Sequence, residues 1–172
     1  MIKKLCLFFL LCAVTLHAKS GVDIGKLMKP SFSKNAQVTK KQFKLSSKQI
    51  KLLQNKAKAR LDSNVVRIYT AKNDSSVEGY GVLLLQTIRT KKAAVLYIID
   101  KKEKIKNIEI VAFMEPSEYK PKQSWQHTFK GKTKEDNLFA GKGIPTISGA
   151  TMSARAISDA ARIAIAIVES YK

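Results

Sequence analysis

The sequence predicts an α+β domain in which an antiparallel sheet is packed by an N-terminal helix and a long C-terminal helix. Three observations support this prediction. Successive runs rich in β-branched and aromatic residues occupy 65–113, with short polar breaks between them. Apolar residues recur at helical spacing before these runs, in 47–61, and again after them, in 152–170. Because the strands follow one another through short connections, we expect antiparallel pairing.

The first 18 residues have the pattern of a secretory signal peptide. Lys3 and Lys4 are followed by the apolar run 5–16, and Ala18 is a small residue suited to cleavage. The apolar run is too short for a transmembrane helix. We therefore expect export to the periplasm or to the extracytoplasmic face of the membrane, with an uncleaved anchor as the alternative.

The chain has two cysteines, Cys6 and Cys12, and both lie in the predicted signal peptide. The remainder of the sequence can form no disulfide and has no thiolate ligands for an iron–sulfur cluster or a c-type haem. His127 is its only histidine, so no transition-metal site is predicted either. A redox role would need a cofactor that is held without cysteine.

The chain is strongly basic, with a formal net charge of +19. Such a charge favours an anionic partner or surface. Export argues against nucleic acid, so none is expected as a partner. The lysines are spread along the chain, and a solvated basic surface without a specific function explains them at least as well.

Residues 19–45 form a polar segment that we interpret as a linker or arm. Pro30 interrupts any helix, and few apolar residues are available for burial. The segment is either a flexible tether or an extended arm laid over the domain.

The first predicted helix covers 47–61. Ser46 and Gln49 form a capping-box pattern at its start. Its apolar stripe consists of Ile50, Leu53, Ala57 and Leu61.

Four strands are predicted after this helix. In the second of them, Gly79 and Gly81 flank Tyr80, which indicates a bulge or a close approach of another group to the backbone. The predicted strands are 65–71, 80–88, 93–99 and 105–113.

The segment 114–143 has no strong periodicity and leads into the last helix. Its Trp125 either stacks on a ligand or fills the core beneath the loop. Glu115 and Glu118 form a candidate acid/base pair, although nothing else in the sequence indicates hydrolysis.

The run Ser148-Gly149-Ala150-Thr151 stands immediately before the predicted helix 152–170. A helix N-terminus has unpaired N–H groups and a positive dipole end, so it can bind an anion such as phosphate. Small residues allow a ligand to approach the backbone closely. The alternative is that Ser148 simply caps the helix.

These four residues resemble the S/T-G-A-T motif of the FMN-binding domain family. That family includes the flavin-carrying subunits of Rnf- and Nqr-type complexes and extracytoplasmic FMN-binding proteins of respiratory chains. The stretches 129–132 and 138–142 resemble the approach to the motif, and the likeness predicts an FMN-binding domain over 46–172. One position departs from the family pattern, because Pro145 stands where an Asp is usual.

By this resemblance, Thr151 carries FMN through a phosphoester bond that a flavin transferase forms from FAD with release of AMP. Gly149 and Ala150 would leave room for the phosphate, and Lys142 would raise the flavin's reduction potential. The candidate cofactor-binding residues are Thr151, Ser148, Gly149, Ala150, Ser153, Lys142 and Trp125.

The resemblance implies an electron-transfer flavoprotein rather than a stand-alone catalyst. Its expected partners are the flavin transferase and a redox protein, in the membrane or outside it. Two alternatives stay open: a protein that binds FMN without a covalent bond, and a basic exported protein that has no cofactor and docks on an acidic partner or surface.

Overall fold

The computed structural model describes residues 22–172. The predicted signal peptide 1–18, with Cys6 and Cys12, lies outside the described residues. Within the described part the predicted α+β architecture is confirmed, since an antiparallel sheet is packed by helices. No helix of residues 22–172 is long and apolar enough to cross a membrane.

The main sheet of this part of the chain has five strands that pair in chain order. Their bounds are β1 Gln37–Lys44, β2 Val65–Asn73, β3 Ser76–Thr87, β4 Lys92–Asp100 and β5 Ile105–Phe113. All four pairings are antiparallel. The last four strands are the predicted ones. The first was not predicted, because it is an edge strand with mostly exposed polar residues and therefore lacks an apolar alternation.

Residues 22–172 also contain four α-helices, with bounds α1 Ile24–Met28, α2 Ser47–Ala57, α3 Gln123–Gln126 and α4 Thr151–Tyr171. Helices α2 and α4 pack against each other, and α4 lies on the central strands. Alternate residues of β4 face this side, where Val95, Tyr97 and Ile99 are fully buried. The Tyr97 hydroxyl donates to the Ile157 carbonyl of α4 at 2.9 Å, which joins helix and sheet.

Helix α4 is buried on more of its surface than the sequence predicts. Helical spacing places Ser158 on the face away from the apolar stripe, which predicts exposure, yet its side chain is fully buried. The reason is that α2 and the loop before α4 cover sides of the helix that a sheet alone would leave exposed. Only a narrow strip of α4, which includes Arg155, is open to solvent.

Helix α2 begins as predicted but ends four residues early, at Ala57 instead of Leu61. Its C-cap residue Lys58 has a left-handed conformation with φ 47°, which stops the helix. Arg162 of α4 donates to the carbonyls of Ala57 and Lys58 at 2.7 and 3.1 Å. A residue that is distant in the chain therefore satisfies the carbonyls at this end of α2.

The described part of the 19–45 segment is folded against the sheet and is not a tether. Helix α1 covers the face opposite α4, where Met28 packs with Leu96 and Ile98. A Cβ atom on Gly81 would clash with the Met28 side chain, and one on Gly79 would clash with Phe32. The two glycines therefore permit the close approach of this segment of the chain.

The segment between β5 and α4 contains α3, 3₁₀ turns and two short parallel strands, β6 Phe139–Ala140 and β7 Gly143–Ile144. Arg162 holds the start of this pair, because it donates to the Leu138 carbonyl at 3.0 Å and its guanidinium lies 3.7 Å from the Phe139 ring centroid. The loop that precedes α4 is thus anchored to α4 itself.

Candidate functional site

Helix α4 starts at Thr151 without a capping side chain. Its N-cap residue is Ala150, and no side chain of residues 22–172 accepts a hydrogen bond there. The alternative interpretation, in which Ser148 is the N-cap of this helix, is therefore wrong. Ser148 is exposed beside the start of the helix. The backbone N–H groups of the first turn keep their hydrogen-bonding capacity, which is the arrangement that suits an anion.

The chain enters α4 through a tight turn. The Ala150 N–H donates to the Ile147 carbonyl at 3.0 Å, and the Thr151 hydroxyl donates to the same carbonyl at 3.3 Å. Gly149 has φ +76°, a left-handed conformation that glycine adopts without steric cost. A Cβ atom at Gly149 would touch nothing within 4 Å, so the space beside the backbone is open.

An open cavity of about 300 Å³ lies at this helix start. It is lined by the backbone run 149–153 and by two residues from elsewhere in the chain, Arg89 and Tyr119. The volume is at the lower end of the range for small-molecule sites. Of the predicted residues, the structure brings Gly149, Ala150, Thr151 and Ser153 together around this cavity.

Ser153 has a structural bond of its own. Its hydroxyl donates to the Tyr119 carbonyl at 2.7 Å, and the residue is 1% exposed. Because its proton is already used, Ser153 offers a ligand its backbone N–H and not its hydroxyl proton. The bond holds Tyr119 against the first turn of α4.

Arg89 was not predicted as a site residue. It stands in the hairpin between β3 and β4, which in the sequence is one of the short polar breaks between predicted strands. The guanidinium lies 4.5 Å from the centroid of the Tyr119 ring. No local pattern connects Arg89 with a motif that follows so much later in the chain, and only the folded sheet brings them together.

Glu115 fixes that hairpin. One of its carboxylate oxygens accepts the backbone N–H groups of Arg89, Thr90 and Lys91 at 3.1, 2.7 and 2.8 Å. These bonds, those of Lys91 and Thr90 above all, hold the pKa of the Glu115 carboxyl below its usual range. The proposed acid/base pair of Glu115 and Glu118 is therefore not supported, because Glu115 serves as an ionised structural acceptor.

Trp125 lies beneath the motif loop and not on an open face of the cavity. Its indole N–H donates to the Pro145 carbonyl at 2.8 Å, and its ring meets Phe129 edge-to-face at 5.2 Å. With 8% of its surface exposed, Trp125 belongs to the hydrophobic core. In this structure it supports the loop that leads to Thr151 and has no free ring face for stacking.

Lys142 is exposed in the turn between β6 and β7, where its N–H donates to the Phe139 carbonyl at 2.9 Å. It does not line the cavity at Thr151. The cavity's charge comes instead from Arg89. No cluster of three or more potential metal ligands occurs among residues 22–172.

The residues around the cavity fit a phosphate-bearing cofactor. An uncapped helix start supplies N–H donors, Gly149 leaves the backbone accessible, and Arg89 supplies a cation. Thr151, at the first helical position, adds a partly exposed hydroxyl.

Comparison with known proteins agrees with this fit. Residues 90–166 match the family model of the FMN-binding domain, and the match includes Thr151. Comparison with curated proteins and with solved structures gave no significant match to the chain. Residues 90–166 therefore match the FMN-binding domain, and FMN is the cofactor that this match indicates.

Proposed function

We propose that the chain is an exported flavoprotein that holds FMN through a phosphoester bond to Thr151 and passes electrons between partner proteins. The main support is the position of the Thr151 hydroxyl at an uncapped helix start that borders an open cavity. The resemblance of 148–151 to the family motif gives the type of bond.

Each residue of the turn has a defined part in this proposal. The first-turn N–H groups of α4 bind phosphate oxygens, and the small residues Gly149 and Ala150 leave them accessible. The Ile147 carbonyl accepts the Thr151 hydroxyl proton and so orients the Oγ atom. When it is bound, FMN supplies the redox chemistry, while the protein provides attachment, orientation and electrostatics.

Export and electron transfer complete the proposal. The signal-peptide pattern of residues 1–18 supports export, and the net charge of +19 suits an acidic redox partner. Maturation needs a flavin transferase that uses FAD and releases AMP. We further propose that Lys142 raises the reduction potential of the flavin at longer range, since it does not line the cavity at Thr151. An unchanged potential in Lys142→Glu would argue against that part.

The test is ultraviolet fluorescence of the denatured protein in a gel, after purification from the exported fraction of its host. We expect a fluorescent band for the wild type and none for Thr151→Ala. Thr151→Ser keeps a hydroxyl and should keep some fluorescence. Thr146→Ala is the matched control, because it removes an exposed hydroxyl from the same loop.

The other outcomes identify the alternatives. If the band is dark while other flavinylated proteins of the same cells fluoresce, covalent attachment is wrong. FMN released on denaturation would then support noncovalent binding. A protein without any flavin that binds an acidic surface in a strongly salt-dependent way would support the cofactor-free docking protein.

A further inference from the structure

Among the described residues that line the cavity at Thr151, Arg89 has the only charged side chain. It lies just outside the residues that match the family model. Within residues 22–172 its guanidinium forms no salt bridge with a carboxylate. The Glu115 carboxylate interacts with the Arg89 charge electrostatically but forms no salt bridge with the guanidinium, so the donors of this guanidinium are not bound to a carboxylate.

Two contacts limit the movement of this side chain. The guanidinium lies on the Tyr119 ring, and Tyr119 is tied to α4 through the hydroxyl of Ser153. On the other side, Glu115 binds the backbone N–H groups of the hairpin from which Arg89 extends. Glu115 therefore holds the backbone at Arg89, and the Tyr119 ring holds its guanidinium at the cavity.

We propose that Arg89 binds the phosphate group of the flavin held at Thr151 and makes the site select phosphorylated over unphosphorylated flavin. This inference rests on the proposed function. The planar guanidinium can donate two parallel hydrogen bonds to phosphate oxygens, in addition to those from the helix N–H groups. Glu115 acts as a positioning residue that keeps the hairpin in place.

The proposal predicts a difference between two flavins that are identical except for the phosphate. FMN has the group that Arg89 binds, and riboflavin lacks it. Loss of Arg89 should weaken FMN binding by about tenfold or more, the usual scale for a charge-assisted hydrogen bond. Riboflavin binding should stay as in the wild type.

The experiment is a fluorescence titration of flavin-free protein from a strain without flavin transferase. Each variant is titrated with FMN and, separately, with riboflavin. The variants are Arg89→Met and Arg89→Lys, with Arg60→Met as the matched control. Arg60 is an exposed arginine away from the cavity, so its loss changes the net charge equally. Arg89→Lys keeps the charge without the planar fork and should have intermediate affinity for FMN.

A second variant tests the positioning role. In Arg89→Met the ratio of FMN affinity to riboflavin affinity should fall. In Glu115→Gln this ratio should also fall, but by a smaller factor. A purely structural role of Glu115 would weaken both flavins equally and leave the ratio unchanged. Circular dichroism melting shows whether each variant is folded at the titration temperature.

The outcomes separate this inference from the proposed function. Wild-type affinity for FMN in folded Arg89→Met, or an equal loss for FMN and riboflavin, would overturn the role of Arg89 and leave FMN binding intact. A wild-type protein that binds neither flavin would overturn this inference, because the site would then not hold the phosphate without the covalent bond, whereas covalent attachment is judged by the in-gel fluorescence. A selective loss of FMN affinity in Arg89→Met, absent in Arg60→Met, would support the inference.

Discussion

Helices α2 and α4 lie side by side, but their N-termini are built differently. At α2, the Gln49 N–H donates to the Ser46 hydroxyl at 3.3 Å, and the Ser46 N–H donates to the Gln49 side chain at 2.9 Å. This is a complete capping box. At α4 the N-cap is Ala150, and no side chain of the described residues caps the helix.

The difference shows which backbone N–H groups are left to donate to a ligand. The protein's own side chains occupy the start of α2, and the Glu115 carboxylate occupies the three N–H groups of the β3–β4 hairpin. Within the described part of the chain, no side chain accepts from the first turn of α4, although hydroxyl residues flank it. A capped helix start adds stability, whereas an open one provides a place for an anion.

The largest effect on stability is expected when the hydrogen bonds between Arg162 and the C-terminal end of α2 are removed. Arg162→Met removes the donors of the Ala57, Lys58 and Leu138 carbonyls. We expect the free energy of unfolding to fall by about 3 kcal/mol, the upper range for lost charge-assisted hydrogen bonds. Urea unfolding at neutral pH measures it, with Arg162→Lys as the partial control.

The prediction for Arg162 separates stability from function. Folded Arg162→Met should still carry its flavin, because the substitution lies away from the cavity lining. A stability loss below about 1 kcal/mol would show that water replaces these hydrogen bonds and that α2 does not depend on them.

A smaller effect is expected at the hairpin, and it depends on pH. The pKa of Glu115 is lowered in the folded state, so its ionised form stabilises the fold above the unfolded pKa of about 4.3. This contribution is lost as the pH falls through the folded pKa. Thermal unfolding should therefore give a higher melting temperature for the wild type than for Glu115→Gln at about pH 7. The two melting temperatures should converge as the pH falls to about 3. A constant difference across this range would contradict the assignment.

The smallest effect compares equivalent positions of the two helices. Met152 and Lys48 are each the second residue of their helix, and both are exposed. A glutamate at either position should stabilise flavin-free protein by about 0.5 kcal/mol through the helix dipole. Met152→Glu should in addition reduce flavin loading, because its charge repels the phosphate. Equal loading in Met152→Glu and Lys48→Glu would show that the first turn of α4 does not hold the phosphate.

Much of the fold could be predicted because it depends on local patterns. The capping box at Ser46, the strands after Asn64 and the long last helix all follow from the spacing of apolar and capping residues. Strand β1 and the buried position of Ser158 could not be predicted in this way. Both depend on neighbours that are distant in the chain.

The candidate site likewise has a part that local sequence patterns predict and a part that depends on contacts between residues distant in the chain. The run 148–153 is continuous, so a helix start with small residues was recognisable in the sequence. Arg89 and Tyr119 reach the cavity only through the hairpin and the loop after β5, and Trp125 is taken up by the core. The predicted domain start at residue 46 and the phosphoester bond at Thr151 stay predictions.

The most direct test of the account is mass spectrometry of the protein purified from its host's exported fraction. A phosphoester bond at Thr151 predicts one species heavier by one FMN less one water, with the addition mapped to Thr151 in a proteolytic peptide. Flavin attached to a different residue would contradict the role of the α4 N-terminus. So would an unmodified mass in cells whose transferase modifies other proteins.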